Sequence, residues 1–581
     1  MILKAGGKAI LIFGAVAIAA FVAVKFDVMA YLKPKATVAA TVPTVESLNG
    51  ADQATAPSGA APVRINVERA SGDYTANVLT IAWNAMSGLS YANGGASTAA
   101  NSLMDKAGVK LNIERQDAYD QIISQQVKFA AAVAKGDNKP KEGAAFAVIM
   151  GDGFPAYIAG AQEALSKAAP GQQLQVIGAL GYSRGEDKCV IDKAATVKGS
   201  LIAGVLGDGD INICIQYAAD NGLAVNADQK TYDPNAMNFV GVSSFVDGDQ
   251  KFISGATESR INVVTGKADK IKVNGSATWT PGDVNVARKR GNIRVLASTK
   301  EYMWQMPSIL IGNKQWMEQN SAFVNNLLAA AFQGGELVRS NEQALQQAGK
   351  INAAIFKEED GPYWAKYFKG ATENGVSLGG STTNGLGDNL YLFGLNGNDN
   401  LYKRIYTVFG NVSIKYFPEF LKTLVPYEQV VNTSYLKQLA AVSDVGSLAV
   451  AKPTYDPAAQ GQSTFAKKAV NIEFETGKLG FTPKAVTQLN EILDSLSVSG
   501  LSVQINGHTD NVGNSEANQL LSKRRADAVK TWIMNNAGSA FPEARMRTRG
   551  YGDAQPVAEN ASAMGRAQNR RVEIVLLTTS N

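Results

Sequence analysis

"INGHTDNVGNSEANQLLSKRRADAV", residues 505–529, carries His508, the only histidine in a chain of 581 residues. One histidine cannot serve several sites, so its place limits the chemistry open to the chain. The stretch leaves a strand at 501–507, passes a loop holding Asp510 and enters a helix at 514–536. On that helix Asn518, Leu521, Ser522 and Arg525 follow spacings of 3, 4 and 7, which puts them on one face. A carboxylate at a strand end opposite a guanidinium on the next helix makes a bipolar site. Arginine grips a carboxylate with paired hydrogen bonds and aspartate accepts from an ammonium, so the pair suits a zwitterion. The plainer reading is a structural salt bridge with solvated arginines. Outward from this stretch, strand 469–474, helix 484–497 and strands 545–551 and 571–577 complete an α/β sandwich of about 110 residues.

Five motifs in a fixed order add to that reading: "FETGKL" (474–479), "GHTDNVG" (507–513), "NQLLSKRRADAV" (518–529), "RTRGYGDAQPV" (547–557) and "NRRVEI" (569–574). With them, residues 465–581 resemble OmpA-like peptidoglycan-binding domains almost completely. The resemblance implies that Asp510 and Arg525 hold the diaminopimelate of the cell-wall stem peptide. It places the family's helix asparagine on Asn518, its leucine on Leu521 and its late arginine on Arg570 or Arg571. His508 then belongs to a binding motif as a loop-packing group and need not be a catalyst.

A chain this long exceeds one core, and two to four domains are expected. Net charge is +5, from 56 basic and 51 acidic residues scattered along the sequence. That balance lacks the concentrated basic stripe of a nucleic-acid binder, and no nucleic-acid partner is expected. The two cysteines, Cys189 and Cys214, fit either small buried residues or one disulfide in an oxidising compartment. Neither they nor any other pattern offers a metal site, and no cofactor is expected.

"AILIFGAVAIAAFVAV" (9–24) is uncharged and apolar, with Lys4 and Lys8 before it and Lys25 after it. It reads as an uncleaved signal anchor, residues 1–33, since no small-residue cleavage site follows closely; a cleaved signal peptide is the alternative. The lysines at 4 and 8 put the N-terminus in the cytoplasm and the bulk of the chain in the periplasm, with the inner membrane as a partner. Residues 34–63, rich in Ala, Thr, Pro and Ser, read as a flexible linker spanning about 30 Å. A second linker is expected at 450–468.

Between the linkers, residues 64–449 alternate short apolar runs with amphipathic stretches. "NVLTIAW" (77–83), "AAFAVIMG" (144–151), "LQVIGALG" (174–181), "NFVGVSS" (238–244) and "IRVLAST" (293–299) read as buried strands, and 116–135 and 315–333 as helices. Strands alternating with helices imply parallel sheets covered on both faces, here in two lobes. In such folds ligands bind beyond the carboxyl ends of the strands.

"TWTPGDVNVARKRGNIRVLASTKEY" (278–302) and "LTIAWNAMSGLSYANGG" (79–95) resemble periplasmic solute-binding proteins of ABC importers, in their nitrate, sulfonate and taurine group. That resemblance implies a cleft lined by Trp83, Asn84, Ser183, Arg184, Trp279 and Asp283. Core packing is the alternative for the tryptophans, and a solvated loop position for Arg184. An anion in the cleft would be held by Arg184 and by N–H groups at helix starts. Residues 375–400, rich in Gly and Asn, read as an added surface loop.

Two motifs fail on inspection. "GYSRG" (181–185) matches a nucleophile elbow, but its base would have to be the distant His508. "DGDIN" (208–212) opens like a calcium loop, yet Ile213 and Ala219 replace its required glycine and glutamate. The expected fold is therefore α/β: an N-terminal transmembrane helix, a two-lobed periplasmic-binding-protein-like domain and a C-terminal OmpA-like sandwich. The expected function is non-enzymatic. The chain would bind peptidoglycan and recognise a small solute or a membrane protein partner. Alternatives are a ligand-free envelope scaffold and a stator-like protein of the MotB type linking inner membrane to cell wall.

Overall fold

The computed structural model describes residues 65–443, 455, 463–470, 472 and 481–578. The N-terminal apolar run, the 34–63 linker and the "FETGKL" motif lie outside the described residues. Among those described, no helix is long and apolar enough to cross a membrane.

The first lobe opens with β1 (Thr75–Thr80), β2 (Lys110–Arg115), β3 (Phe146–Met150) and β4 (Leu174–Ser183), with helix α1 (Tyr119–Ala134) between β2 and β3. All five residues of β3 and all ten of β4 are buried. Continuous apolar runs of this kind suit strands covered on both faces.

The chain then crosses through residues 184–187 into the second lobe, β5 (Lys188–Asp192) and β6 (Leu201–Gly204), followed by helix α2 (Gly209–Asp220). There follow β7 (Ala224–Asn226), β8 (Thr231–Tyr232), β9 (Ala236–Gly241), β10 (Thr257–Asn262), β11 (Ala268–Lys272), β12 (Gly275–Thr278) and β13 (Ile293–Ser298). Residues 299–306 cross back to β14 (Pro307–Asn313). Then come α3 (Ser321–Ser340), the hairpin β15 (Ala371–Glu373) and β16 (Val376–Leu378), and β17 (Ser381–Thr383).

Two six-stranded sheets result, ordered β17-β4-β14-β3-β1-β2 and β13-β5-β12-β6-β9-β7. They are mixed rather than wholly parallel. β14 runs antiparallel to both β3 and β4, and β5 antiparallel to β12 and β13. The reversal follows from the two crossings, which bring strands into each sheet from the opposite lobe. A disulfide joins Cys189 on β5 to Cys214 on α2, with Cα atoms 5.3 Å apart.

Most of residues 375–400 is not a surface loop; only 394–400 keeps that character, as a partly exposed turn. β17 pairs with β4, and the following helix Leu386–Leu392 is buried along its whole length. The Asn389 amide supplies strand-like hydrogen bonds, accepting from Ala179 N at 2.7 Å and donating to Ala179 O at 2.9 Å. Gly380 lies so close to the first crossing that a Cβ would sit 2.6 Å from Arg184 O. The glycines here serve close backbone approach rather than flexibility. The helix expected at 315–333 is also broken, at Asn320, into Lys314–Gln319 and α3.

The C-terminal domain consists of β18 (Ser463–Val470), α4 (Pro483–Ser497), β19 (Ser502–Gly507), α5 (Ser515–Ala537), β20 (Met546–Gly550) and β21 (Val572–Thr578). Its sheet runs β18-β21-β19-β20. β18 begins at Ser463, so the end of the segment read as linker is already sheet.

This domain docks on the first two lobes. Trp304 N donates to Val498 O at 3.1 Å and Gly500 N to Glu301 O at 2.9 Å. Ser495 Oγ donates to Asp220 at the end of α2, 2.8 Å away, and Arg404 to Asp494 at 3.0 Å. Phe465 sits edge-on between Tyr217 and Tyr302, with ring centroids 5.9 and 5.8 Å away.

Candidate functional sites

The quoted stretch folds as β19, a polar loop and the first turns of α5. Gly507 closes the strand against the helix, where a Cβ would meet Ser522 O at 1.9 Å. Asn514 caps α5 by accepting from Glu516 N and Ala517 N. Asn518, buried on the helix, donates to Asp510 O at 3.3 Å and Val512 O at 3.2 Å, which fixes the loop's shape.

Asp510 is thereby held at the mouth of the loop. Its Oδ2 accepts from Arg570 at 2.6 Å and its Oδ1 from Val512 N at 3.1 Å. Arg525 comes from the next turns of α5. Burial, with Arg570 beside it, pulls its guanidinium below the ordinary value, and Asp510 opposes that pull. Leu521, on the same helix face, stays exposed.

The two late arginines separate. Arg570 faces Asp510, whereas Arg571 turns into the core and pairs with Glu573 at 2.7 Å. His508 is buried, stacks on Tyr551 at 5.3 Å and lies 3.3 Å from Glu573 Oε2. Burial pushes the Glu573 carboxyl up. Contacts with His508, Lys467 and Arg571 more than reverse that and hold it well below the carboxylate range. The histidine is a packing group, as its motif implied.

In the two-lobed domain the expected cleft residues fall into three places. Trp83 and Asn84 are buried after β1, and Asn84 N donates to Glu186 Oε1 at 3.3 Å. Trp279 reaches across the lobes to donate to Ala82 O at 3.1 Å. Asp283 pairs with buried Lys188 and accepts from Gly379 N at 3.0 Å. These four line one closed seam.

Ser183 ends β4 at the first crossing, bonded to Thr299 and to Asp187 N. Its hydroxyl also lies within reach of the Asp187 carboxyl, while the sole histidine belongs to the C-terminal domain. Arg184 lies outside the cleft and is partly buried rather than free in solvent. It lies over the Tyr182 and Trp304 rings and donates to Met303 O, on the side facing the C-terminal domain. Burial pushes its guanidinium down to about 10. An anion in the seam therefore loses its expected arginine.

What the sequence reading missed is a group of acids at the crossings. Asp152 follows β3, Asp208 and Asp210 open α2, and Asp187 ends the first crossing just before β5; all are buried. Gln305 Nε2 donates to Asp152 Oδ2 at 2.8 Å and Asn212 Nδ2 to the same oxygen at 3.4 Å. Asp208 accepts from Gly209 N at 2.7 Å, so the chain's own carboxylate occupies the start of α2, where an anion would otherwise bind. Burial raises all four carboxyls, Asp187 to about 7 and Asp152 and Asp210 well above the usual range. A signal existed: Gly-Asp-Gly occurs at 151–153 and again at 207–209, each time just past a buried strand. Among the described residues no three acids, histidines or cysteines are grouped to hold a metal ion.

The strand–loop–helix with its Asp510–Arg570 pair is that of an OmpA-like domain. Comparison bears this out, with residues 473–570 matching the OmpA family. Outer membrane porin F of Pseudomonas aeruginosa is 37% identical over 105 residues, 18% of this chain and 29% of that protein. The outer-membrane lipoprotein YfiB of the same organism is 45% identical over 74 residues, 13% of this chain and 42% of its own. The chain thus spans less than half of either relative's length. The central region resembles the periplasmic nitrate-binding protein NrtA of Synechocystis PCC 6803, at 12% identity and a TM-score of 0.46. That alignment covers 66% of this chain and 93% of the other.

Proposed function

We propose that the protein is a non-enzymatic binding protein of the cell envelope that holds peptidoglycan through its C-terminal domain and presents a two-lobed, solute-binding-like domain beside it. The observation that carries the reading is the placing of Asp510 and Arg525 across one loop and helix, with Arg570 and Asn518 fixing the aspartate. Asp510 accepts from the ammonium of a diaminopimelate stem peptide, and Arg525 grips its carboxylate. In the two-lobed domain, the crossings at 184–187 and 299–306 are the hinge about which the lobes close on a small solute. The apolar run at 9–24 anchors the chain in the inner membrane with the folded domains in the periplasm.

Co-sedimentation with purified peptidoglycan tests the site. Asp510→Ala and Arg525→Ala should each lower retention at least about tenfold, the scale of a lost charge-assisted hydrogen bond. Full retention of both variants, folded by circular dichroism, removes the assignment.

A further inference from the structure

The carboxyl group at the crossings holds more acceptors than donors. Asp152 Oδ1, Asp210 Oδ1, Asn212 Oδ1 and Gln305 Oε1 are buried acceptors without a donor, and the hydroxyls in reach, those of Ser183 toward Asp187 and Tyr119 toward Asp208, leave that excess standing. Asn212 and Gln305 both turn their amide nitrogens to Asp152, which leaves their oxygens as the orphaned ends. Asp187 and Asp210 come within hydrogen-bonding reach of each other, a contact that requires a proton on one of them. The nearest ammonium, that of Lys188, is committed to Asp283.

Buried acceptors left unpaired cost about 1–3 kcal/mol each, more when charged, so a ligand that brings donors to this group is bound favourably. An anion is excluded by the four acids and by Asp208 on the start of α2. A bare metal ion is disfavoured because the acids are not grouped as a ligand set. What fits is positive charge carrying N–H donors.

We infer that the cluster at the crossings is a receptor for a small organic cation of the ammonium or guanidinium class, gripped between Asp152 of the first lobe and Asp187 and Asp210 at the second. The inference rests on the solute-binding reading above and names the class of solute. Binding places N–H donors on the orphaned oxygens and displaces the protons shared among the carboxyls, so uptake releases protons.

The test uses the full chain at pH 7.5. Thermal unfolding and titration calorimetry are run with methylammonium, guanidinium at low millimolar concentration, and putrescine. Potassium and tetramethylammonium, which lack N–H donors, are the controls, with nitrate and taurine as anionic and zwitterionic probes. At a hundredfold excess over Kd an N–H cation should raise the melting temperature by about 2–3 °C. Its binding heat should vary with the ionisation enthalpy of the buffer, which reads the released protons. Asp187→Asn and Asp210→Asn, which remove mutual repulsion and should fold, should each weaken binding at least about tenfold.

The inference falls if no N–H cation shifts the wild type, or if both variants bind undiminished. It falls alone if nitrate or taurine stabilises the protein while the cations do not, for then a solute binds but of another class. If no probe of any class acts, the solute-binding reading falls with it. A stabilisation shared equally by potassium and tetramethylammonium marks a general salt effect and also overturns it.

Discussion

The C-terminal domain and the crossings of the central domain both bury acids, and they treat them in opposite ways. In the first, Glu573 has Arg571, Lys467 and His508 around it, and Asp510 has Arg570. In the second, Asp152, Asp187, Asp208 and Asp210 face one another with amides and hydroxyls for company. Burial raises a carboxyl in both places; only the first supplies enough positive charge to reverse it.

The sharpest way to break the comparison is to remove the counter-charge arrangement. Glu573→Gln leaves Arg571 buried without its partner and should cost about 3–5 kcal/mol, read by chemical denaturation. A loss below 1 kcal/mol would mean the two regions differ less than their geometry suggests. Next in size is the clasp behind the hinge. Cys214→Ser opens a loop of 25 residues between β5 and α2. It should cost about 3 kcal/mol, and hydrogen exchange should quicken in those two elements but not in β19 or β21.

Phe465→Ala should cost about 1–2 kcal/mol, the worth of two edge-on aromatic contacts. It should also split a shared thermal transition into two if docking couples the domains. A calorimetric trace unchanged in shape would show that they were independent from the start.

The smallest effect is the most diagnostic, because its sign differs between the regions. Folded-state values at the hinge lie above the ordinary value near 3.8. Their contribution is complete at acid pH and is lost as pH rises toward and through about 7, the value for Asp187, which faces Asp208, Asp210, Asp152 and Lys188. Glu573 lies below its ordinary 4.5, so its contribution is complete above that value and is lost as pH falls through the lower one. Between pH 5 and 8, amides at 184–187 should exchange faster as pH rises, after correction for intrinsic rates, while those of β21 stay level. Parallel behaviour of the two segments would contradict the contrast.

Much of this was legible from residues. The C-terminal domain was readable because its candidate site is local: Asp510, Asn518, Leu521 and Arg525 fall within one strand–loop–helix, where spacing can relate them. Even there, spacing could not choose between Arg570 and Arg571; only their partners, Asp510 for the first and Glu573 for the second, separate them. The buried strands announced themselves as apolar runs, though the antiparallel entries of β14 and β5 depend on where the chain crosses between lobes, which periodicity does not encode. Residues 375–400 were misread because glycine serves flexible loops and tight backbone contacts alike. Arg184 was misread because its partners are aromatic faces and a carbonyl. The hinge acids come from three separate segments, so no local pattern joins them, although the repeated Gly-Asp-Gly stood at both strand ends.

Helix α2 has its first turn among the hinge carboxyls and its last residue, Asp220, against Ser495 of the C-terminal domain. Twelve residues make a rod of about 18 Å, and the disulfide at Cys214 rivets its middle to the strand that begins at the hinge. One short rod, pinned at its centre, thus touches both the C-terminal domain and the place where the two lobes meet.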